Sequence, residues 1–515
     1  MTLAIVANLA GRVWGALILI IFVPFYLAAL GPEGYGIVGF NTTLLAIVVS
    51  LDGGVALTVN REMARLSALP GQAKEMRATL SAASAIFIAL SAVVALCIWF
   101  AAPAIVADWL NIGSLPVSVA VLAIRFIGIV VAEQLIISLF QGALFGLHRQ
   151  ATVNAVLIAA TTLRAAGALP ILWYFSATPS AFFIWYAFVS LLQIAALRFL
   201  IAGNIPFTGS FEPPSSSLAK SLLRNAAGIG GIALLGLALG QIDKVLVSRV
   251  LPLAEFGYYM VAVSISQLPI MVASSIATAV FPRLSQHAMM DDGGAIRLLH
   301  ASTQLIACLV IPIGLTFAFF GHEIIVAWAG NALLGTGVPL VAGILTFGNA
   351  FNGLLQTSYY FELAFGRTRP IIYMNVLALA AIIPAILVLT RAYGMAGAAV
   401  CWLALNIAYV LIGMPMILRR PLGTNLLRLY ARGIAVPVAA ALAVTGTARL
   451  VLPDHLGRVG GGAAAVVVCI LAVLVCAALS PDLRALLNAD AKGPHTGPRA
   501  TLASADGSPP EPGPA

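Results

Sequence analysis

Residues 117–146 read VSVAVLAIRFIGIVVAEQLIISLFQGALFG, a run that contains one arginine and one glutamate. A helix needs about 20 apolar residues to cross the hydrocarbon core of a bilayer, so this run predicts a transmembrane helix. The whole chain of 515 residues has the same character, because 61% of its residues are hydrophobic and 9% are charged. Soluble domains carry about 25% charged residues. The chain is therefore predicted to be an all-α polytopic membrane protein.

Apolar runs of this kind recur about fourteen times along the sequence. Their approximate bounds are 4–30, 36–59, 80–103, 117–146, 152–174, 180–203, 224–250, 256–281, 297–320, 334–362, 371–390, 395–418, 428–449 and 459–480. The first run has no basic segment before it and no small-residue cleavage site after it, which favours a retained helix over a signal peptide.

The basic residues are distributed unevenly around these predicted spans. Of the 27 lysines and arginines, four fall within spans. If the N-terminus is cytoplasmic, four more lie in outer loops and the remaining nineteen lie in inner loops and the tail. This positive-inside bias predicts a multi-pass protein of the cell inner membrane with both termini in the cytoplasm. It also explains the net charge of +9 without a nucleic-acid partner.

The order of spans and polar segments predicts five regions. Residues 1–203 form an N-terminal lobe of six spans, 204–223 a cytoplasmic linker between the lobes, and 224–418 a C-terminal lobe of six spans. Residues 419–480 add two helices. The segment 481–515 is rich in Gly, Pro, Ala and Ser, a composition typical of a disordered tail.

A weak internal repeat supports the division into two lobes. When the chain is shifted by 221 residues, Leu30 aligns with Leu251 and Gly36 aligns with Gly257. The first and seventh spans then have the same orientation. Two parallel lobes related by a pseudo-twofold axis along the membrane normal are a known transporter plan, with the binding site between the lobes.

Four short motifs carry a family resemblance. They are LGPEGYG at 30–36, QIDKVLVS at 241–248, EFGYY at 255–259 and FPRLS at 281–285. With these motifs the chain resembles the polysaccharide biosynthesis and oligosaccharide flippase family (O-antigen translocase-like) of the multidrug/oligosaccharidyl-lipid/polysaccharide exporter superfamily. The resemblance implies a V-shaped, two-lobed carrier. It also implies outward translocation, by alternating access, of polyprenyl-pyrophosphate-linked oligosaccharide for O-antigen, capsule or exopolysaccharide assembly.

Charged residues within the predicted spans are the first candidates for a site, since each is costly in hydrocarbon and should face a cavity or a partner. The seven residues are Arg12, Asp52, Arg125, Glu133, Arg164, Asp243 and Lys244. Arginine suits phosphate oxygens by bidentate contact. The functional hypothesis is a cationic cavity that binds the pyrophosphate through Arg12, Arg125, Arg164 and Lys244.

Other roles for the same charges stay open at this stage. Consecutive helices carry Arg12 with Asp52, and Glu133 with Arg164, so both pairs could be ion pairs that only fix helix packing. Carboxylates within spans also commonly bind H⁺ or Na⁺, which makes the acidic residues candidates for a coupling ion. Asp243 and Lys244 are adjacent, so they should point about 100° apart, with a structural or gating role at the outer end of their span.

A polar stripe marks the tenth span. Asn349, Asn352 and Gln356 are spaced i, i+3 and i+7 and share one helix face. The amides could hydrogen-bond sugar hydroxyls, or they could join neighbouring helices, as amides often do in membranes. In the seventh span, Gly236 and Gly240 form a small-xxx-small pattern, and the glycines of this span suit a helix that flexes between two states.

Several catalytic motifs are absent from the sequence. The five cysteines form no CxxC pair, and there is neither an HExxH motif nor a Walker A motif, so no metal, cofactor or ATP hydrolysis is expected. The short outer loops disfavour a polysaccharide polymerase or ligase. The alternative within the same fold is a cation-coupled multidrug exporter. Expected partners are the lipid-linked oligosaccharide and the bilayer, with H⁺ or Na⁺ and polysaccharide-assembly proteins as further candidates.

Overall fold

The computed structural model describes part of the chain. The described residues are 2–50, 54–205, 220, 236–290, 293–333, 335–367, 369–423, 425–453 and 456–481. The side chain of Arg12, the whole of Asp52, most of the predicted linker and the predicted tail beyond 481 lie outside them. The described residues are almost entirely helical and contain no β-strand.

The helices follow the apolar runs of the sequence. In chain order they are α1 (Thr2–Ser50), α2 (Val55–Ser67), α3 (Ala73–Ala104), α4 (Val117–Gly146), α5 (Gln150–Pro170), α6 (Pro179–Asn204), α7 (236–250), α8 (Leu253–Ser266), α9 (Leu268–Met290), α10 (Gly294–Ala329), α11 (Val338–Ala364), α12 (Arg369–Ala408), α13 (Met414–Leu422), α14 (Asn425–Arg428), α15 (Val436–Val451) and α16 (Gly457–Ala478). Short π-helical turns continue α3, α5, α12 and α14, at Ile105–Trp109, Ile171–Phe175, Tyr409–Gly413 and Leu429–Ala435.

Eleven helical segments of the described residues are long and apolar enough to cross a membrane. Two of them turn at a glycine with positive φ, at Gly31 (φ 70°) in α1 and at Gly394 (φ 59°) in α12. Glycine adopts this conformation without the steric cost that a Cβ atom would bring. Each turn falls between two of the apolar runs in the sequence. The polytopic all-helical fold is confirmed, while the count of about fourteen spans stays a prediction.

The packing divides the helices into two bundles. Helices α1 to α6 pack on one another, and α8 to α12 form a second bundle. Helices α15 and α16 pack on α10 at the side of this second bundle. The two bundles are here named the N-lobe and the C-lobe. This is the predicted architecture of two lobes with two additional C-terminal helices.

The lobes meet where α1 crosses α8, and the crossing follows the internal repeat. A Cβ atom on Gly36 would lie 2.6 Å from the carbonyl oxygen of Leu253, and one on Gly257 would overlap the carbonyl oxygen of Pro32. Positions 32 and 253, like 36 and 257, are separated by the repeat shift. The contact is therefore symmetric. Because neither glycine has a side chain, the two backbones can approach this closely.

Two polar contacts flank this glycine crossing. The hydroxyl groups of Tyr35 and Ser264 lie 3.4 Å apart, and the indole Nε1 of Trp328 donates to the carbonyl oxygen of Ile20 at 3.0 Å. Both contacts join an N-lobe helix to a C-lobe helix. The two lobes are thus held together by backbone packing and by specific hydrogen bonds.

Candidate functional site

The C-lobe contains a cavity with a volume of about 670 Å³, named here the C-lobe cavity, whose wall is mostly apolar and carries several polar side chains. Its walls come from α7, α8, α11, α12 and residues 409–417. Among its lining residues are five that the sequence singled out as candidates, namely Asp243, Lys244, Asn349, Asn352 and Gln356. The fold thus brings together two groups of candidates that lie about a hundred residues apart in sequence.

The charged residues of the C-lobe cavity form a pair. The ammonium Nζ of Lys244 lies 3.1 Å from Oδ1 of Asp243 and donates to the carbonyl oxygen of Gly240 at 2.7 Å. Tyr259 donates its hydroxyl to Oδ2 of Asp243 at 2.8 Å. The adjacent residues were expected to point apart, but the flexible lysine stem folds back towards the carboxylate. The positive charge of Lys244 is therefore balanced locally.

Two asparagines of the polar stripe hold helices together. Asn349 donates Nδ2 to the carbonyl oxygen of Ser266 at 2.7 Å, and its Oδ1 accepts from Nε1 of Trp402 at 2.6 Å. Asn352 donates Nδ2 to Oδ1 of Asn406 at 2.7 Å. These bonds join α11 to α8 and to α12. For Asn349 and Asn352, the structure thus has the helix-joining contacts that the sequence left open as one interpretation.

Three glutamines at the C-lobe cavity are in a different situation. Gln241 on α7, Gln267 between α8 and α9, and Gln356 on α11 all line the cavity. In the part of the chain that the structure describes, none of the three side chains makes a hydrogen bond. Sequence reasoning selected Gln356 but missed the other two. Gln241 could have been found, because it lies three residues before Lys244 and so shares its helix face.

The glycine pattern of α7 borders the cavity. Gly236 and Gly240 both line the C-lobe cavity, and a Cβ atom at either position would have no heavy atom within 4 Å. Among the described residues there is open space at both positions, so the missing side chains widen the cavity.

Arg125 lies in the N-lobe, away from the C-lobe cavity. Its guanidinium carbon sits 5.1 Å from the ring centroid of Trp99, which places the cation over an aromatic face of α3. Its Nε is buried and has no hydrogen-bond partner within the described residues. The sequence offers no acidic partner for Arg125, and the described residues provide none either. The Trp99 ring partly compensates for this through a cation–π contact.

Glu133 and Arg164 lie together in the N-lobe without forming a direct ion pair. Arg164 donates to Ser190 Oγ at 3.0 Å and to Gln193 Oε1 at 2.5 Å. No nitrogen of Arg164 comes within 4.0 Å of a Glu133 oxygen, both residues being among those described. The hypothesis of a Glu133–Arg164 ion pair is therefore not met. The Arg164 guanidinium is instead hydrogen-bonded to side chains of α6. The Glu133 side chain is 6% exposed, and its Oε2 has no partner in the described part.

Of the three basic candidates whose side chains are described, only Lys244 lines the C-lobe cavity. Lys244 lines the C-lobe cavity, whereas Arg125 and Arg164 are on α4 and α5 of the N-lobe. The side chain of Arg12, like Asp52, lies outside the described residues.

One end of the bundle carries a polar connection between the lobes, named here the inter-lobe clasp. Asn111 donates Nδ2 to the carbonyl oxygens of Arg249 at 2.8 Å and Leu251 at 3.3 Å, and the backbone N–H of Leu253 donates to the Asn111 carbonyl at 2.8 Å. Nearby, Trp109 donates Nε1 to Ser248 Oγ at 3.0 Å. These bonds link the segment after α3 to the junction of α7 and α8.

Comparison with known proteins identifies the family of the chain. Residues 4–288, more than half of the chain, match the family described as polysaccharide biosynthesis protein. A Shigella flexneri protein to which O-antigen transport is ascribed is 21% identical over 395 residues, covering 77% of this chain and 92% of that protein.

Two solved structures have a similar fold. The lipid II flippase MurJ in an inward closed conformation has a TM-score of 0.71 at 14% identity, covering 95% of this chain and 100% of MurJ. An inward-facing multidrug resistance transporter of the MATE family has a TM-score of 0.64 at 11% identity, covering 81% of this chain and 95% of that chain. The transmembrane helices, the two lobes and the sequence match lead to one conclusion: the chain belongs to the polysaccharide biosynthesis protein family.

Proposed function

We propose that the protein translocates a polyprenyl-pyrophosphate-linked oligosaccharide from the cytoplasmic to the outer leaflet of the inner membrane. The observation that carries the proposal is a cavity of about 670 Å³, lined in part by amides and hydroxyls, inside the two-lobed helical fold of a polysaccharide biosynthesis family. The names of the S. flexneri relative and of MurJ, an O-antigen transporter and a lipid II flippase, support a lipid-linked substrate.

The physical problem in such a reaction is the polar headgroup. Moving a hydroxyl through hydrocarbon without a partner costs several kcal/mol, and moving a charged phosphate costs far more. A cavity lined by amides and hydroxyls replaces the hydrogen bonds that the headgroup makes with water. The lipid tail can remain in the bilayer while the headgroup crosses between the lobes. The protein acts as a carrier, and its own residues catalyse no bond cleavage.

Alternating access needs the lobes to separate at one end and to meet at the other. The inter-lobe clasp and the glycine crossing hold one end closed. Both contacts use groups that water can satisfy when they part, namely amide donors and backbone carbonyls. In the proposed cycle this end is the outer one, and it opens when the headgroup is released. Rigid-body movement of one lobe against the other is the usual form of this change.

The basic residues of the N-lobe are proposed to receive the pyrophosphate. Arg125 has a buried Nε with no partner among the described residues, so it has capacity for a phosphate oxygen. Arg164 keeps its charge next to a polar cluster on α6, and Arg12 lies on the same lobe. Glu133, with its unpartnered Oε2, is the candidate for a coupling H⁺ or Na⁺.

Deletion in the native host tests the proposal. Lipid extraction is expected to recover accumulated polyprenyl-pyrophosphate oligosaccharide, and surface-glycan analysis is expected to find the polymer missing. Re-expression of the chain should restore both. Unchanged lipid and glycan pools, together with altered sensitivity to cationic drugs, would reject the proposal in favour of a multidrug exporter.

A further inference from the structure

The charge of the C-lobe cavity indicates what it can hold. Among the described residues, its lining contains one carboxylate and one ammonium group, Asp243 and Lys244, which lie 3.1 Å apart, and the other described lining residues are uncharged. A pyrophosphate would bring several negative charges into this space with no surplus of positive charge. Burying unpaired charges costs far more than burying neutral groups that find hydrogen bonds. The cavity therefore suits an uncharged ligand.

The cavity also offers free hydrogen-bonding groups. The amides of Gln241, Gln267 and Gln356 come from three separate segments and make no hydrogen bonds among the described residues. Each amide supplies two N–H donors and one carbonyl acceptor. A ligand that both donates and accepts at closely spaced positions would satisfy them, and a polyhydroxylated ring has this pattern.

Fixed aromatic rings complete the lining. Trp402 is held through its Nε1 by Asn349 at 2.6 Å, and Tyr409 donates its hydroxyl to Oδ1 of Asn375 at 3.1 Å. Both rings line the cavity. Rings locked in place lose little side-chain freedom when a ligand binds, and their apolar faces can cover the C–H face of a sugar ring.

We infer that the C-lobe cavity binds the uncharged sugar part of the substrate through hydrogen bonds with Gln241, Gln267 and Gln356. The pyrophosphate binds elsewhere. The inference rests on the proposed function and refines it, because it separates two binding sites for one headgroup. A volume of about 670 Å³ fits this role, since pockets for small molecules measure about 300–1,000 Å³.

The test uses the full chain in lipid nanodiscs and saturation-transfer difference NMR. The probe is the lipid-free oligosaccharide released by mild acid from the host's own surface polymer, and inorganic pyrophosphate is the competitor. The parent protein is expected to bind the oligosaccharide, and pyrophosphate is expected not to displace it. Because a single hydrogen bond changes affinity about 3–10-fold, the double variant Gln267→Leu, Gln356→Leu should bind at least tenfold more weakly.

A matched control separates recognition from folding. Gln134→Leu makes the same change on α4, at similar exposure and outside the cavity lining, and should bind like the parent. Displacement of the oligosaccharide by pyrophosphate, or parental affinity in the double variant, overturns the inference. The pyrophosphate competition needs no variant, so misfolding cannot hide the answer. A deletion host with accumulated lipid-linked oligosaccharide would still uphold the proposed function in that case.

Discussion

At the scale of single residues, Asn349 and Gln356 have the same chemistry and different surroundings. The Asn349 amide is buried and bonds to Ser266 and Trp402, whereas the half-buried Gln356 amide makes no hydrogen bond within the described residues. The two side chains share one face of α11. The two amides differ in whether a neighbouring helix offers a hydrogen-bond partner. The Asn349 amide has such partners and supports the fold, whereas the Gln356 amide can bind a ligand.

Replacing each of these amides should therefore affect the stability of the fold to a different extent. Asn349→Leu leaves a buried carbonyl and an indole N–H without a partner, so it is expected to cost about 1–3 kcal/mol of stability. Gln356→Leu is expected to change stability by less than about 0.5 kcal/mol. Thermal unfolding of the two purified variants, followed by size-exclusion chromatography, measures the difference. Equal loss in both variants would contradict the assignment.

Arg125 carries a second prediction at this scale. Arg125→Ala is expected to reduce surface polysaccharide severalfold at unchanged protein level, because it removes a cation whose Nε has no bond among the described residues. Arg198→Ala is the control, since it removes an exposed arginine near the end of α6. Surface polymer is quantified in the deletion host that expresses each variant. Normal polymer with Arg125→Ala would argue against a phosphate-binding role.

The sequence predicted the position of these residues better than their partners. The spacing of Asn349, Asn352 and Gln356 placed them on one face of a helix, and they do line one cavity. Their bonding partners Ser266, Trp402 and Asn406 are 50 or more residues away, and helix periodicity contains no information on such contacts. For the same reason, the spacing of Glu133 and Arg164 could not reveal that α6 intervenes.

At the scale of elements, the inter-lobe clasp depends on one short segment. The side chain of Asn111 holds two backbone carbonyls at the end of α7, and its own carbonyl holds the N–H of Leu253. The sequence offered no sign of this role, because Asn111 lies in a loop between two predicted spans and contacts a segment 140 residues away.

Removing the clasp amide should loosen this end of the molecule. Asn111→Ala deletes two hydrogen bonds, and we expect the backbone amide of Leu253 to exchange its hydrogen about tenfold faster. Hydrogen–deuterium exchange measured by mass spectrometry on peptides that cover 250–257 reports this change. Asn204→Ala serves as the control, because Asn204 donates only to the Leu200 carbonyl of its own helix. Unaltered exchange in Asn111→Ala would show that the clasp does not hold the lobes.

The symmetric crossing of α1 and α8 is the element best anticipated by the sequence. The repeat shift aligns Gly36 with Gly257, and the structure brings these two positions to the same crossing. Small residues at corresponding positions in the two halves of a chain therefore indicate contacts between the halves. They mark where backbones meet, which large side chains would prevent.

At the scale of the whole molecule, hydrophobicity predicted the fold class and charge predicts its orientation. The apolar runs correspond to helices along the described chain, and the turn between two pairs of runs falls at Gly31 and Gly394. The exact number of spans depends on such turns, which length and hydropathy alone do not locate. The orientation is a separate question, because the fold is the same whichever end faces the cytoplasm.

Fusion reporters test the orientation. Alkaline phosphatase fused after Ile112, at the clasp end, is expected to be active, and the same enzyme fused after Arg149 is expected to be inactive. A fluorescent protein fused after Ala515 should fluoresce, since it folds in the cytoplasm. The physical reason is the concentration of lysine and arginine at one end of the spans. The reverse pattern would place the clasp on the cytoplasmic side.

The closed end has a consequence for the energy supply of the cell. A membrane that stores a proton gradient cannot contain a continuous water-filled path, because protons would leak through it. A cavity with polar groups within the bilayer can form part of such a path. The glycine crossing and the clasp close it at one end by backbone contact. If both ends were open at the same time, protons would leak across the membrane and the gradient would be lost. In the proposed cycle, the contacts that part to release the cargo therefore also prevent ions from leaking across the membrane.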